Sequence, residues 1–123
     1  MPSNSLFSPF NARMVHAVDG DSVWVNREMV GQVKVRVGGI DVPSSGTNAE
    51  MAKSFIEREW PRDTPVHVKP TSTYLVHGEI PAIVTRLDNP SRNLGKELLQ
   101  FGERLAQFPI EKGHAPPLTH LKV

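Results

Sequence analysis

Alternating apolar and polar positions predict β-strands in the first third of the chain. Three stretches rich in apolar residues span residues 12–18, 22–26 and 31–39. In the third, valines at every second position alternate with Lys34 and Arg36. This period of two is typical of a strand with one buried face, so a basic outer face is expected there. Asp19-Gly20 predicts a tight hairpin between the first two strands, because glycine tolerates the positive φ of such turns.

The rest of the pattern predicts two helices and two more strands. The first helix is expected to begin at Thr47 or Asn48 and to end before Pro61, with Thr47 and Glu50 at capping-box spacing. The later strands and the second helix are predicted over residues 64–69, 80–87 and 94–106. This order predicts an α+β fold that is mainly β. It is a five-stranded OB-fold-like barrel with one helix after strand 3 and a C-terminal helix.

Length and composition fit one globular domain. The chain has 123 residues, of which 38% are hydrophobic and 22% charged, and its net charge is +1. We expect a loose leader over 1–11, the barrel over 12–106 and a Pro-rich tail over 107–123. The absence of cysteine excludes disulfides and thiolate metal sites. No apolar run is long enough to span a membrane and the first residues lack a secretory pattern, so a cytoplasmic location is expected if Met1 is the natural start.

Two motifs carry the candidate chemistry. One is the D-G-D-S turn Asp19–Ser22, and the other is the I-D-V-P segment Ile40–Pro43, which Arg36 precedes. Together with the helical segment Leu98–Gly102, they resemble the staphylococcal nuclease (thermonuclease) family over roughly residues 12–106. The resemblance implies a calcium-dependent phosphodiesterase that cleaves DNA and RNA.

The same resemblance assigns roles to individual residues. It implies that Asp21 and Asp41 bind calcium together with the backbone carbonyl of Val42, while Asp19 supports the site from nearby. Clustered carboxylates suit this hard cation, which prefers oxygen ligands. Arg36 would clamp the phosphate and stabilise charge in the transition state. From the residues alone, an ion pair between Arg36 and one of the aspartates is an equal alternative.

Two positions depart from the family pattern. The family has its general-base glutamate directly after the I-D-x-P proline, where this chain has Ser44. It has a second phosphate-binding arginine where this chain has Glu79. A neutral serine does not accept a proton as a carboxylate does, and Glu79 reverses the charge expected beside a phosphate. Both departures predict that cleavage has been lost.

The sequence therefore favours a nuclease-like domain that binds DNA or RNA without cutting it, and thus not an enzyme. An active metal-dependent nuclease with a rearranged base is one alternative. A protein-interaction module, with the tail at 107–123 as the contact for a protein partner, is another. The residues proposed to contact nucleic acid are Lys34, Arg36, Lys69, Tyr74 and Arg86. Trp24 is expected to be buried in the barrel or against the tail, with base stacking as the alternative.

Overall fold

The fold is known from a computed structural model that describes residues 7–38, 40 and 46–110, with side chains up to Gly102. The predictions for Asp41, Val42, Ser44, the first part of the leader and most of the tail lie outside the described residues. The elements, in chain order, are β1 (Phe10–Ala17), β2 (Ser22–Arg27), β3 (Gly31–Val37), α1 (Thr47–Glu59), β4 (Pro65–Pro70), β5 (Ile80–Arg86) and α2 (Leu94–Ile110). No helix in the described part of the chain is long and apolar enough to cross a membrane.

The five strands form a closed barrel in the order β1-β2-β3-β5-β4. Strands β3 and β5 are parallel and share only three residue pairs, whereas every other neighbouring pair is antiparallel. The prediction of a mainly β, five-stranded barrel with two helices is confirmed at this level.

Valines on the inner face of the strands form the centre of the core. Val23, Val25 and Val35 are completely buried, while Lys34 and Arg36 on the opposite face of β3 are partly exposed. The helices add further apolar surface, and the rings of Phe55 and Phe101 stack with centroids 4.6 Å apart. The period-two pattern therefore separates core from surface as predicted.

The connection between β1 and β2 is longer than the tight turn predicted at Asp19-Gly20. It runs from residue 18 to residue 21, and the amide of Val18 donates to the carbonyl of Ser22 at 2.8 Å. Gly20 is not among the described residues with positive φ. The hairpin is thus confirmed, but the reason given for Gly20 was wrong, because a longer connection does not require a left-handed residue.

The start of α1 also differs in detail from the prediction. The helix begins at Thr47, but the residue before it, Gly46, is the N-cap with a φ of 98°, and no side chain caps the helix. The expected capping box between Thr47 and Glu50 is therefore wrong. That motif needs a hydroxyl at the N-cap position itself, one residue earlier than Thr47 lies.

Helix α2 packs closely against the end of β3. A Cβ atom on Gly95 would lie 2.7 Å from the carbonyl oxygen of Gly38, which is closer than such atoms approach. The helix start is capped by Asn93, whose Oδ1 accepts from the amide of Lys96 at 3.1 Å. Gly95 thus allows the start of α2 to approach the backbone at Gly38, directly after β3.

Candidate functional site

The turn between β1 and β2 holds the first two aspartates of the predicted site. The Oδ1 atom of Asp19 accepts a hydrogen bond from the amide of Asp21 at 3.1 Å. The carbonyl of Asp21 accepts from the amide of Val37 at 2.7 Å, which ties the turn to β3. Asp21 is only 6% exposed. These backbone bonds fix its carboxylate beside the outer face of β3.

Arg36 lies next to Asp21 on that face. Its Nη2 atom is 3.6 Å from Oδ2 of Asp21, and in the β2–β3 register Arg36 lies opposite Ser22. Of the two alternatives for Arg36, the ion pair with an aspartate is present. About a third of the Arg36 side chain remains exposed to solvent, at 34%.

Glu79 is the central residue of the cluster. It is 7% exposed, and its Oε2 atom accepts a hydrogen bond from Oγ of Ser22 at 3.1 Å. The same oxygen lies 3.2 Å from Nζ of Lys34, while Oε1 lies 3.8 Å from Nη1 of Arg36. A single carboxylate therefore contacts a hydroxyl on β2 and two cations on β3.

A tight turn places Glu79 in this position. Val76 and Glu79 exchange backbone hydrogen bonds of 2.8 and 2.9 Å around the dipeptide His77-Gly78. Both central residues have positive φ, 53° for His77 and 78° for Gly78, as a type I′ turn requires. The turn leads directly into β5, so Glu79 enters the barrel beside β3 with its side chain over Ser22.

Two buried carboxylates and two cations pair with each other in this cluster. Arg36 interacts with both Asp21 and Glu79, while Lys34 interacts with Glu79. A buried carboxylate without partners is strongly unfavourable, so Glu79 and its cations hold one another in place. A phosphate approaching Arg36 or Lys34 would have to compete with a carboxylate that is already bound.

The predicted calcium site is not assembled by the described residues alone. Within them there is no group of three potential metal ligands. Asp19 uses one oxygen for a backbone amide, and Asp21 faces Arg36. The other predicted ligands, Asp41 and the carbonyl of Val42, lie outside the described part, as does Ser44. Calcium binding therefore stays a prediction.

Two further residues predicted to contact nucleic acid lie on exposed surface. Lys69 is exposed near the end of β4, and Tyr74 is 68% exposed in the connection between β4 and β5. Tyr74 lies two residues before Val76, the partner of Glu79 in the tight turn. The exposed ring and the carboxylate of Glu79 thus belong to the same short connection.

Arg86 belongs to a different cluster. Its Nε and Nη2 atoms donate to both carboxylate oxygens of Asp88 at 2.8 and 2.9 Å, and Nη1 donates to the carbonyl of Glu59 at 2.8 Å. The hydrogen bond to Asp88 raises the pKa of Arg86 and lowers the pKa of Asp88. These bonds link the end of β5 to the end of α1, which favours a structural role for Arg86.

Trp60, Arg92 and Glu97 form a second structural group that sequence reasoning did not find. Arg92 donates to both oxygens of Glu97 at 2.7 and 2.8 Å, and the indole N–H of Trp60 donates to Oε1 at 2.9 Å. Burial raises the pKa of Glu97, but the hydrogen bonds from Arg92 and Trp60 outweigh it and the net shift is downward. No spacing in the sequence indicates this contact, because it joins Trp60 at the end of α1 to Glu97 in the first turn of α2.

Sequence reasoning also missed Ser22 and Lys34 as partners of Glu79. The contact between Ser22 and the β3 strand follows from the hairpin register, which opposes Ser22 and Arg36. Counting pairs outward from the turn at residues 28–30 would have found it. The approach of Glu79 depends on the parallel pairing of β3 with β5, for which the local sequence carries no signal.

Comparison with known proteins identifies no family. No protein-family model matches the chain, and no curated protein matches it.

Proposed function

We propose that this chain is a nuclease-like, OB-type barrel that binds nucleic acid and does not cleave it. The strand order β1-β2-β3-β5-β4 and a helix between β3 and β4 support the OB-type assignment. The D-G-D-S turn and the nearby Arg36 support the likeness to staphylococcal nuclease. In the described part, Asp19, Asp21 and Arg36 lie together, which agrees with that likeness.

The observation that carries the loss of cleavage is the position of Glu79. Its carboxylate lies against Arg36, the cation that would clamp a scissile phosphate, and against Lys34, a cation expected to contact nucleic acid. Stabilising charge in a phosphoryl transition state requires cations that are directed at the phosphate. Here they face a carboxylate of the protein itself. Ser44, in the place of the general base, supplies no proton acceptor near neutral pH.

Binding without cleavage is supported by exposed groups around the same end of the barrel. Tyr74 offers an exposed ring, and Lys69 offers a positive charge on β4. Aromatic rings on which bases stack and cations that follow the backbone are the usual components of single-strand binding surfaces.

The test measures binding and cleavage in one titration. Labelled single-stranded and double-stranded DNA are mixed with the purified protein, with and without calcium, magnesium or manganese. We expect a salt-dependent complex and intact DNA in every metal. Calcium-dependent degradation that disappears in Asp41→Ala would instead establish the active nuclease.

A protein-interaction module is the second candidate, favoured by two exposed apolar loop ends. Met29 and Val30 are 98% and 55% exposed between β2 and β3, and Tyr74 and Leu75 are 68% and 46% exposed between β4 and β5. Exposed apolar groups of this kind often mark contacts with other proteins. Absence of any complex with DNA or RNA at low salt would favour this candidate.

A further inference from the structure

Trp24 occupies an outward position on β2. Its neighbours along the strand, Val23 and Val25, are completely buried, whereas Trp24 is partly exposed. In the barrel register His16 lies opposite it on β1 and Lys34 lies opposite it on β3. The ring is therefore on the outside of the barrel, in a row with two basic residues. Its predicted burial inside the barrel is wrong, whereas the alternative, burial against the tail, concerns residues outside the described part.

The indole of Trp24 has no polar or aromatic partner in the described part of the chain. No hydrogen bond, ring stacking or cation contact joins it to a described residue. The other tryptophan, Trp60, is 1% exposed and donates its N–H to Glu97. Part of Trp24 therefore stays in contact with solvent and open to a ligand.

The surface around Trp24 carries three cations, of which Lys34 and Arg36 are paired with carboxylates. We call it the β1–β3 face and define it by the outward residues Asn11, Arg13, His16, Trp24, Asn26, Gln32, Lys34 and Arg36. None of these positions holds a carboxylate, but Glu28 lines the same cleft as Asn11, Arg13 and Asn26. Two buried carboxylates meet the face at one edge, where Glu79 lies against Lys34 and Arg36 and Asp21 lies against Arg36. Arg13, in the row next to Trp24, is exposed, and of its guanidinium atoms Nη1 donates to the carbonyl of Asp63 at 3.0 Å.

We propose that the β1–β3 face binds single-stranded nucleic acid, with a base stacked on Trp24 and the backbone phosphates near Arg13 and, in competition with Glu79, near Lys34. The inference rests on the proposed function and adds the place and the form of the ligand. Stacking on a protein ring requires an unpaired base, which a duplex does not offer. Positive and polar outward groups complement the phosphates that flank such a base.

Fluorescence of the wild-type protein provides the first measurement. Because Trp60 is buried, a bound base is expected to quench emission from Trp24 selectively. The probes are oligo-dT and oligo-rU of roughly 16 nucleotides and a duplex of equal length. We expect quenching by either single strand and little by the duplex, with the two single strands distinguishing DNA from RNA as the preferred ligand. Saturated binding of both strands without a change in tryptophan emission would overturn the proposal.

Variants provide the second measurement, read as the anisotropy of a labelled strand. Trp24→Ala is expected to weaken binding about tenfold, whereas Trp24→Phe keeps a stacking ring and stays within about threefold. Arg13→Gln should lower the slope of log affinity against log salt by about one, unlike Lys96→Gln on the exposed side of α2. Near-UV circular dichroism and thermal unfolding confirm that each variant is folded.

The outcomes separate the two proposals. If the wild type binds single strands and folded Trp24→Ala binds them equally well, the β1–β3 face is not the site, although the proposed function stands. If the wild type binds no nucleic acid at low salt, both proposals fail.

Discussion

Glu79 controls the chemistry of the candidate site through one carboxylate. It accepts a hydrogen bond from the hydroxyl of Ser22 and lies within ion-pair distance of Lys34 and Arg36. Because Glu79 is almost completely buried, the loss of its cations would leave an uncompensated charge, so the cluster persists in the absence of ligand. A phosphate therefore gains little from Arg36 unless Glu79 is displaced.

Glu79→Gln is expected to bind a labelled single strand several-fold more tightly, with a salt slope steeper by about one. The amide keeps an acceptor for Ser22 but no longer neutralises Lys34 and Arg36. Affinity is measured by anisotropy at several salt concentrations. Glu57→Gln, which removes the same charge from an exposed position on α1, is the control and should change neither quantity appreciably. Identical behaviour of the two variants would show that Glu79 does not compete with the ligand.

At the scale of elements, α2 is attached at its start by two kinds of contact. Gly95 allows close approach to Gly38, and Glu97 joins Arg92 to the indole of Trp60 at the end of α1. Removing Glu97 would leave the Trp60 N–H without its acceptor, which costs about 1–3 kcal/mol when the group is buried. The junction of the two helices therefore depends on an ionised carboxylate.

This junction predicts how stability changes with pH. The folded pKa of Glu97 lies below its ordinary value of 4.5, so its contribution is fully present above that pH and is lost as the pH falls through the folded value. Wild-type protein should therefore lose thermal stability below pH 4.5 more steeply than Glu97→Gln, although the variant is less stable at pH 7. Melting temperatures between pH 7 and pH 3 test this. Parallel curves for the two proteins would contradict it.

At the scale of the whole molecule, the barrel closes through its shortest pairing. Strands β3 and β5 share three residue pairs, whereas β2 and β3 share six. We call this β3–β5 pairing the seam. Glu79, which directly precedes β5, reaches across it to Ser22 on β2 and to Lys34 on β3. The side-chain cluster thus supplements a backbone pairing that is short.

Hydrogen exchange should report this difference. The amide of Gly38 donates to the carbonyl of Ala82 across the seam, and we expect it to exchange faster than the amides inside the β2–β3 hairpin. Glu79→Ala should accelerate Gly38 further while leaving the hairpin amides nearly unchanged. Residue-resolved exchange by NMR measures both. Equal acceleration of amide exchange throughout the barrel would instead indicate that Glu79→Ala destabilises the whole protein and not the β3–β5 pairing alone.

The hydrophobic pattern was sufficient for the class of fold and the order of its elements. Valines on β3 and the apolar positions of the helices specify which faces are buried, because side-chain direction follows directly from the strand and helix periods. The errors concern local geometry at Gly20 and Gly46. There, the choice among turns and caps depends on where the flanking elements are held.

The candidate site was likewise only partly predictable from the sequence. Its residues Asp21, Arg36 and Glu79 were recognised in the sequence through motifs and their departures, and so was the reversal of charge at Glu79. The sequence did not determine that Glu79 turns towards Ser22, Lys34 and Arg36, or that Trp24 lies outside the barrel between His16 and Lys34. Those contacts arise from strand pairing between segments distant in the chain, and such pairing is decided by how the whole barrel closes around its core.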